Sequence, residues 1–233
     1  MQHNWILLTE TFIRLHLTPI VSFSDFIKFI YLGDDHMSVG TWNVEIVDMT
    51  TGSMPQKVAT VSSAFTEKLG ELFGAQYTPI AYLGSQVVNG TNHAILAEQV
   101  VITGRDTKNV VLVILNEKGN DFAIVNIERV VEGGTGLGGT VVDVKTEIPE
   151  DAKAVFDKTF EGFVGSKVEP FALLGTQVVK GTNYIFAAKV TPVTAEPTQK
   201  FALVTVNALE NKATFADPLR SDLKSGLGYA FTW

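Results

Sequence analysis

The chain contains no cysteine. That excludes a disulfide framework, a thiol nucleophile and any thiolate zinc site. Histidine is scarce, at four in 233 residues, and no two stand at metal-ligand spacing, so no metal is expected. Basic charge is also short. Eighteen Lys and Arg against 25 Asp and Glu leave a net charge of −7, so neither nucleic acid nor a membrane surface is expected as a partner, because both are held by clustered Lys and Arg. Uninterrupted apolar stretches are missing too. Residues 1–36 carry Trp5, Ile6, Leu7, Leu8, Phe12 and Phe26, but Glu10, Arg14, His16, Pro19, Asp25 and Lys28 break them up. The run stays short of the roughly 18 residues that cross a bilayer, and it lacks the charged, apolar and small-residue zones of a secretory signal. A cytoplasmic location is the resulting expectation. Region 1–36 reads either as an amphipathic arm or as an extension ahead of a folded part that opens at Met37.

What the chain does have is apolar mass. Hydrophobic residues make up 45% of it, with 15 Phe, enough to build a core, and the length suits two domains of about 100 residues. Self-comparison divides it. Leu83-Gly84-Ser85-Gln86-Val87-Val88-Asn89-Gly90-Thr91-Asn92 returns 91 residues later as Leu174-Gly175-Thr176-Gln177-Val178-Val179-Lys180-Gly181-Thr182-Asn183, with eight of ten positions identical. The offset also aligns Val110–Leu115 with Phe201–Val206, and Arg129 with Arg220. A duplication of this kind is read before any secondary structure. Its seam falls in the glycine-rich stretch 133–139, giving an extension over 1–36, a first domain over 37–134 and a second over 135–233.

Each copy reads as one helix followed by strands. After Pro55, the residues Val58, Val61, Phe65, Leu69 and Leu72 fall at helical spacing. After Pro149, Glu150 and Asp151 suit a helix start, and Ala152, Phe156, Phe160 and Phe163 form the stripe. Strands are expected at about 77–88, 91–103, 110–116 and 122–128, then at 168–179, 182–193, 201–207 and 213–217. Asn89-Gly90 and Lys180-Gly181 sit between the first two strands of each set, where glycine allows a tight hairpin. The expected class is α+β, one helix laid across an antiparallel sheet, built twice.

Gln-Val-Val-Xaa-Gly followed by Thr-Asn, at a hairpin behind an amphipathic helix, resembles the signature loop of the cystatin superfamily of cysteine-protease inhibitors, and it occurs twice. Without cysteine, each copy is most similar to the stefin-type members. The resemblance implies two cystatin-like domains that inhibit papain-like cysteine proteases reversibly, without cofactor. It also implies a wedge in each copy that occludes the enzyme's cleft. In the first copy the wedge comprises Gly40, then Gln86, Val87, Val88, Asn89 and Gly90, then the tip at Glu117-Lys118-Gly119-Asn120. In the second it comprises Gly138 or Gly139, then Gln177, Val178, Val179, Lys180 and Gly181, then Ala208 and Leu209 ahead of Glu210-Asn211. Neither second loop carries the family's Pro-Trp pair, and the first copy has a single glycine before Trp42. A narrow, rigid tip with few bulky groups is also what cleft binding demands on physical grounds, since it loses little ordering entropy. The alternative is a duplicated scaffold that recognises another protein through an exposed sheet face.

Other signals carry less. Residues 134–139 have the glycine spacing of a dinucleotide loop, but no helix follows directly to hold phosphate. Asn89-Gly90-Thr91 is a glycosylation sequon at the wedge tip, where a glycan would obstruct binding. His93 aligns with Tyr184, so that position takes a ring of either kind and packing is expected there. His3, His16 and His36 fall in the extension. Asp34-Asp35 and Glu150-Asp151 suit a turn and a helix start better than a catalytic pair. No nucleophile, base and orienting group come together, so the chain is not expected to be an enzyme.

Overall fold

The runs Val110-Val111-Leu112-Val113-Ile114-Leu115 and Phe201-Ala202-Leu203-Val204 are apolar without alternation, the mark of strands covered on both faces. In the computed structural model, which describes residues 40–102, 107–134 and 138–219, these runs are central strands. Among the described residues ten strands and two helices form in the order β1 (Trp42–Asp48), α1 (Gln56–Gly70), β2 (Ala75–Val88), β3 (Gly90–Val101), β4 (Thr107–Lys118), β5 (Asp121–Val131), β6 (Thr140–Lys145), α2 (Glu150–Thr159), β7 (Ser166–Val179), β8 (Gly181–Pro192), β9 (Lys200–Asn207) and β10 (Lys212–Ala216). They make two antiparallel five-stranded sheets, ordered β1-β2-β3-β4-β5 and β10-β9-β8-β7-β6. The arm 1–36 with His3, His16, His36 and Asp34-Asp35, the linker residues 135–137, and Arg220 lie outside the described residues.

The expected α+β class is corrected here. Strands make up 56% of the structure and helices 14%, so the protein is mostly β, two stacked sheets with two short helices, and not a pair of helix-on-sheet domains each with its own core. The physical reason lies in the inner faces. One apolar cluster takes Ala81, Leu83, Ala94, Leu96, Val110 and Leu112 from the first sheet and Val142, Ala172, Leu174, Ala187, Phe201 and Leu203 from the second. Neighbours in sequence point the other way, as period-two alternation requires. Tyr82, Ile95, Val111, Val113 and Leu115 pack under Val58, Val61, Phe65 and Leu69 of α1. Phe186, Ala188, Val190, Ala202 and Val204 pack under Ala152 and Phe156 of α2. A strand thus buried twice leaves no polar face to read in the sequence.

The sheets meet with internal symmetry. β1 lies against β9, and β6 lies against β4. β6 holds in the second sheet the place of β1 in the first, and β9 that of β4, so these are one contact made twice, the arrangement of a two-fold interface. Lys108, at the end of β4 remote from its hairpin, shares the surroundings of Gly133 with Val142, near the start of β6.

Several local features repeat as well. Each helix follows a proline in the N-cap position, Pro55 or Pro149, one residue earlier than the first-turn place expected for Pro149. The helices stop at Gly70 and Thr159, so Leu72, Phe160 and Phe163 of the expected stripes lie beyond them. β1 and β6 were not foreseen. Each pairs with an edge across a bulge, between Val44 and Val47 in one and between Val142 and Lys145 in the other. Pro79 and Pro170 mark a second pair of bulges, in β2 and β7, where a strand tolerates proline.

The candidate wedge tips

The repeated decapeptide divides by what each side chain touches. Leu83 and Leu174 are fully buried in the shared core. Gly84 and Gly175 lie where an edge strand crosses closely: a Cβ would meet the carbonyl oxygen of Asn43 at 2.2 Å or of Val141 at 2.4 Å. Both positions are thus explained by packing.

Gln86 and Gln177 join three segments. The Gln86 Nε2 donates to the carbonyl oxygen of Gly40, and the Gln177 Nε2 donates to that of Gly138 at 2.7 Å. Each Gln Oε1 accepts from an asparagine, Asn92 at 3.0 Å or Asn183 at 3.1 Å. That asparagine accepts in turn from Asn116 or Asn207, at 2.8 Å in both copies. The ladder ties the segment ahead of the first strand, the first hairpin and the second hairpin together at one end of each sheet. The expected site residues Gly40 and Gln86–Gly90 gather at the first tip, and Gly138, Gln177–Gly181, Ala208 and Leu209 at the second. Gly138 rather than Gly139 is the glycine that meets Gln177. Gly139 instead packs on Gly134. Asn116 and Asn207 were missed in the sequence, although they stand at the repeat offset.

Gly90 and Gly181 have φ of +99° and +88°, and both are hemmed in. A Cβ at Gly90 would meet the Glu117 carbonyl oxygen at 2.4 Å, and one at Gly181 the Leu209 Cβ at 2.7 Å. Between Gln and Gly, the valines face water. Val87 and Val178 are 65% and 70% exposed, and Val88, Val179 and Leu209 are exposed beside them. Asn89 and Lys180 occupy the turns, exposed. These valines hold nothing together.

The two tips differ chemically. Under Gly90 the second hairpin sends Glu117, whose Oε2 lies 2.9 Å from Nε2 of the fully buried His93. The His93 Nδ1 lies 3.1 Å from the Tyr82 hydroxyl, and the ring sits between those of Tyr82 and Phe122. Burial holds the imidazole below its ordinary pKa, against the opposing pull of Glu117. At the matching places the second copy has Tyr184, stacked on Phe186, and Ala208. The packing role expected for His93 accounts for its rings but not for this polar chain.

A cleft of about 320 Å³ opens elsewhere, between the sheets, lined among others by Asp48, Glu169, Phe171, Lys189 and Gln199. Its Glu169 is occupied: Lys167 at 2.7 Å and Lys189 at 3.5 Å hold the carboxyl below the usual range. Among the described residues no group of His, Asp and Glu could hold a metal ion, and no helix is long and apolar enough to cross a membrane. No family model and no curated protein matches the chain.

Proposed function

We propose that the protein is a reversible inhibitor of papain-like cysteine proteases, each tip entering an active-site cleft and blocking it without covalent chemistry or cofactor. One observation carries the reading. In the repeated decapeptide Leu83 and Leu174 are core, four of the glycines are fixed by close approach, and the glutamines and asparagines form the ladder, whereas the two valine pairs are exposed at both tips. A hairpin kept only for folding needs the glycine and no exposed valines. On a rigid tip, in contrast, exposed valines are surface ready to be buried at about 25 cal/mol per Å², with the ladder limiting the entropy lost on binding.

The resemblance of the loop to the cystatin signature supports the same partner class. Less supports a scaffold that docks through a sheet face, because the middle strands are covered by the other sheet on one side and a helix on the other. The test is hydrolysis of a fluorogenic peptide by papain in the presence of the full chain. Competitive inhibition, relieved on dilution, is the expected result. Undiminished hydrolysis at micromolar protein would overturn the proposal.

A further inference from the structure

The first copy contains a buried polar chain that the second lacks. A carboxylate only accepts hydrogen bonds, so the His93 Nε2–H donates to Glu117, which leaves Nδ1 to accept from the Tyr82 hydroxyl. Near Tyr82, the Ser85 Oγ accepts from Lys57 Nζ at 3.3 Å, and that ammonium lies 5.8 Å from the centre of the Tyr82 ring. The charged and titratable groups facing His93 are Lys57 from α1, Tyr82 from β2 and Glu117 from β4; β5 offers only the Phe122 ring. Glu117 is the partly exposed end of the chain nearest the first tip, its side chain 35% accessible and its backbone carbonyl facing Gly90.

We propose that His93 is a positioning residue that makes the first tip pH-responsive, its protonation neutralising and fixing the Glu117 carboxylate that the tip would carry into a cleft. This deepens the inhibitor reading and rests on it. With His93 neutral, the His93–Glu117 pair carries one negative charge, and a partner cleft must desolvate it. A proton taken up at Nδ1 turns the Tyr82 hydroxyl from donor to acceptor, by rotation about its C–O bond and with no proton leaving the tyrosine. The pair becomes a neutral imidazolium–carboxylate contact, which costs less to bury. Acid should thus favour engagement by the first tip. The second tip has Ala208 and Tyr184 at these places and no such dependence.

Two measurements on the full chain test this. The first is an NMR titration of the histidine ring signals, with His93 identified by its loss in His93→Tyr. Replacing Glu117 by Gln should lower the His93 midpoint by about one unit, the effect of removing one close opposite charge; an unchanged midpoint overturns the coupling. The second is papain inhibition at pH 7.5 and 5.0 by the chain carrying Gly181→Val, which leaves the first tip to act. Relative to the same chain with His93→Tyr, acidification should tighten inhibition about tenfold, the equivalent of one unit of coupling. Parallel pH profiles overturn the proposal. If the Gly181→Val chain fails to inhibit at either pH, the inhibitor reading of the first tip is lost, while the titration still decides whether Glu117 and His93 are coupled. Tyrosine suits the site because the second copy places Tyr184 there. Should His93→Tyr fail to fold, His93→Gln serves in its place.

Discussion

Replacing Val87 and Val178 together by Asp separates a binding tip from a folding hairpin. Both side chains are mostly exposed, at 65% and 70%, so each gives the folded state only about a third of the roughly 1.5–3 kcal/mol that full burial of a valine is worth. Losing that third costs about 0.5–1 kcal/mol per site. For a chain of this size the melting temperature should fall by a few degrees. In a cleft the balance reverses. The exposed two-thirds of each valine would be buried, and a carboxylate in its place must shed water without a partner, at a cost of several kcal/mol. Loss of a hundredfold or more in papain inhibition is therefore expected, since 1.4 kcal/mol is a factor of ten. Both sites must change at once because either tip alone could mask the loss. Fluorogenic hydrolysis and a thermal melt on the same preparation provide the comparison. Inhibition that survives the double substitution, or that falls only in step with the melt, would refute the reasoning.

Other expectations follow from the same geometry. Gly90→Ala should destabilise more than Gly181→Ala in thermal melts: both incur the left-handed penalty of about 1–2 kcal/mol, but the first meets a fixed backbone oxygen and the second the side chain of exposed Leu209. Leu83→Ala should cost about 2–5 kcal/mol and, because Leu83 sits in the core common to both sheets, calorimetry should show one transition shifted as a whole; two transitions, one unmoved, would mean separate cores. Acidification should destabilise the protein through His93. Its folded pKa is depressed, so the unfolded chain binds the proton first and stability falls as pH drops below about 6.5; the His93→Tyr chain should lack this component in denaturant titrations at pH 7.5 and 5.5.

The tips were more legible in the sequence than the architecture around them. Turn glycines signal themselves: Gly90 and Gly181 stood between alternating strand runs, and they hold the positive φ that such turns need. The helices were legible from their apolar spacing after Pro55 and Pro149. What the sequence hid was burial on the second face of each sheet. Val110–Leu115 has no polar alternation to show which residues face α1 and which face the other sheet, so one helix per sheet seemed sufficient and two independent α+β domains were inferred. The edge strands were hidden for another reason. β1 and β6 are short and bulged, and their places are fixed by glycines on a partner strand more than 30 residues away in sequence, which no local pattern records. In the site, the bonds from Gln86 to Gly40 and from Gln177 to Gly138 were equally out of reach. The Asn116 and Asn207 rungs could have been found from the repeat offset alone.

The most direct test of cleft occlusion by two ladder-braced tips is steady-state papain inhibition by the full chain, compared with the chain carrying Gly90→Val and Gly181→Val, with circular dichroism checking that both are folded. The account expects competitive inhibition by the unaltered protein and its loss in the folded double variant. Equal inhibition by both proteins, or none by the unaltered chain, would contradict it.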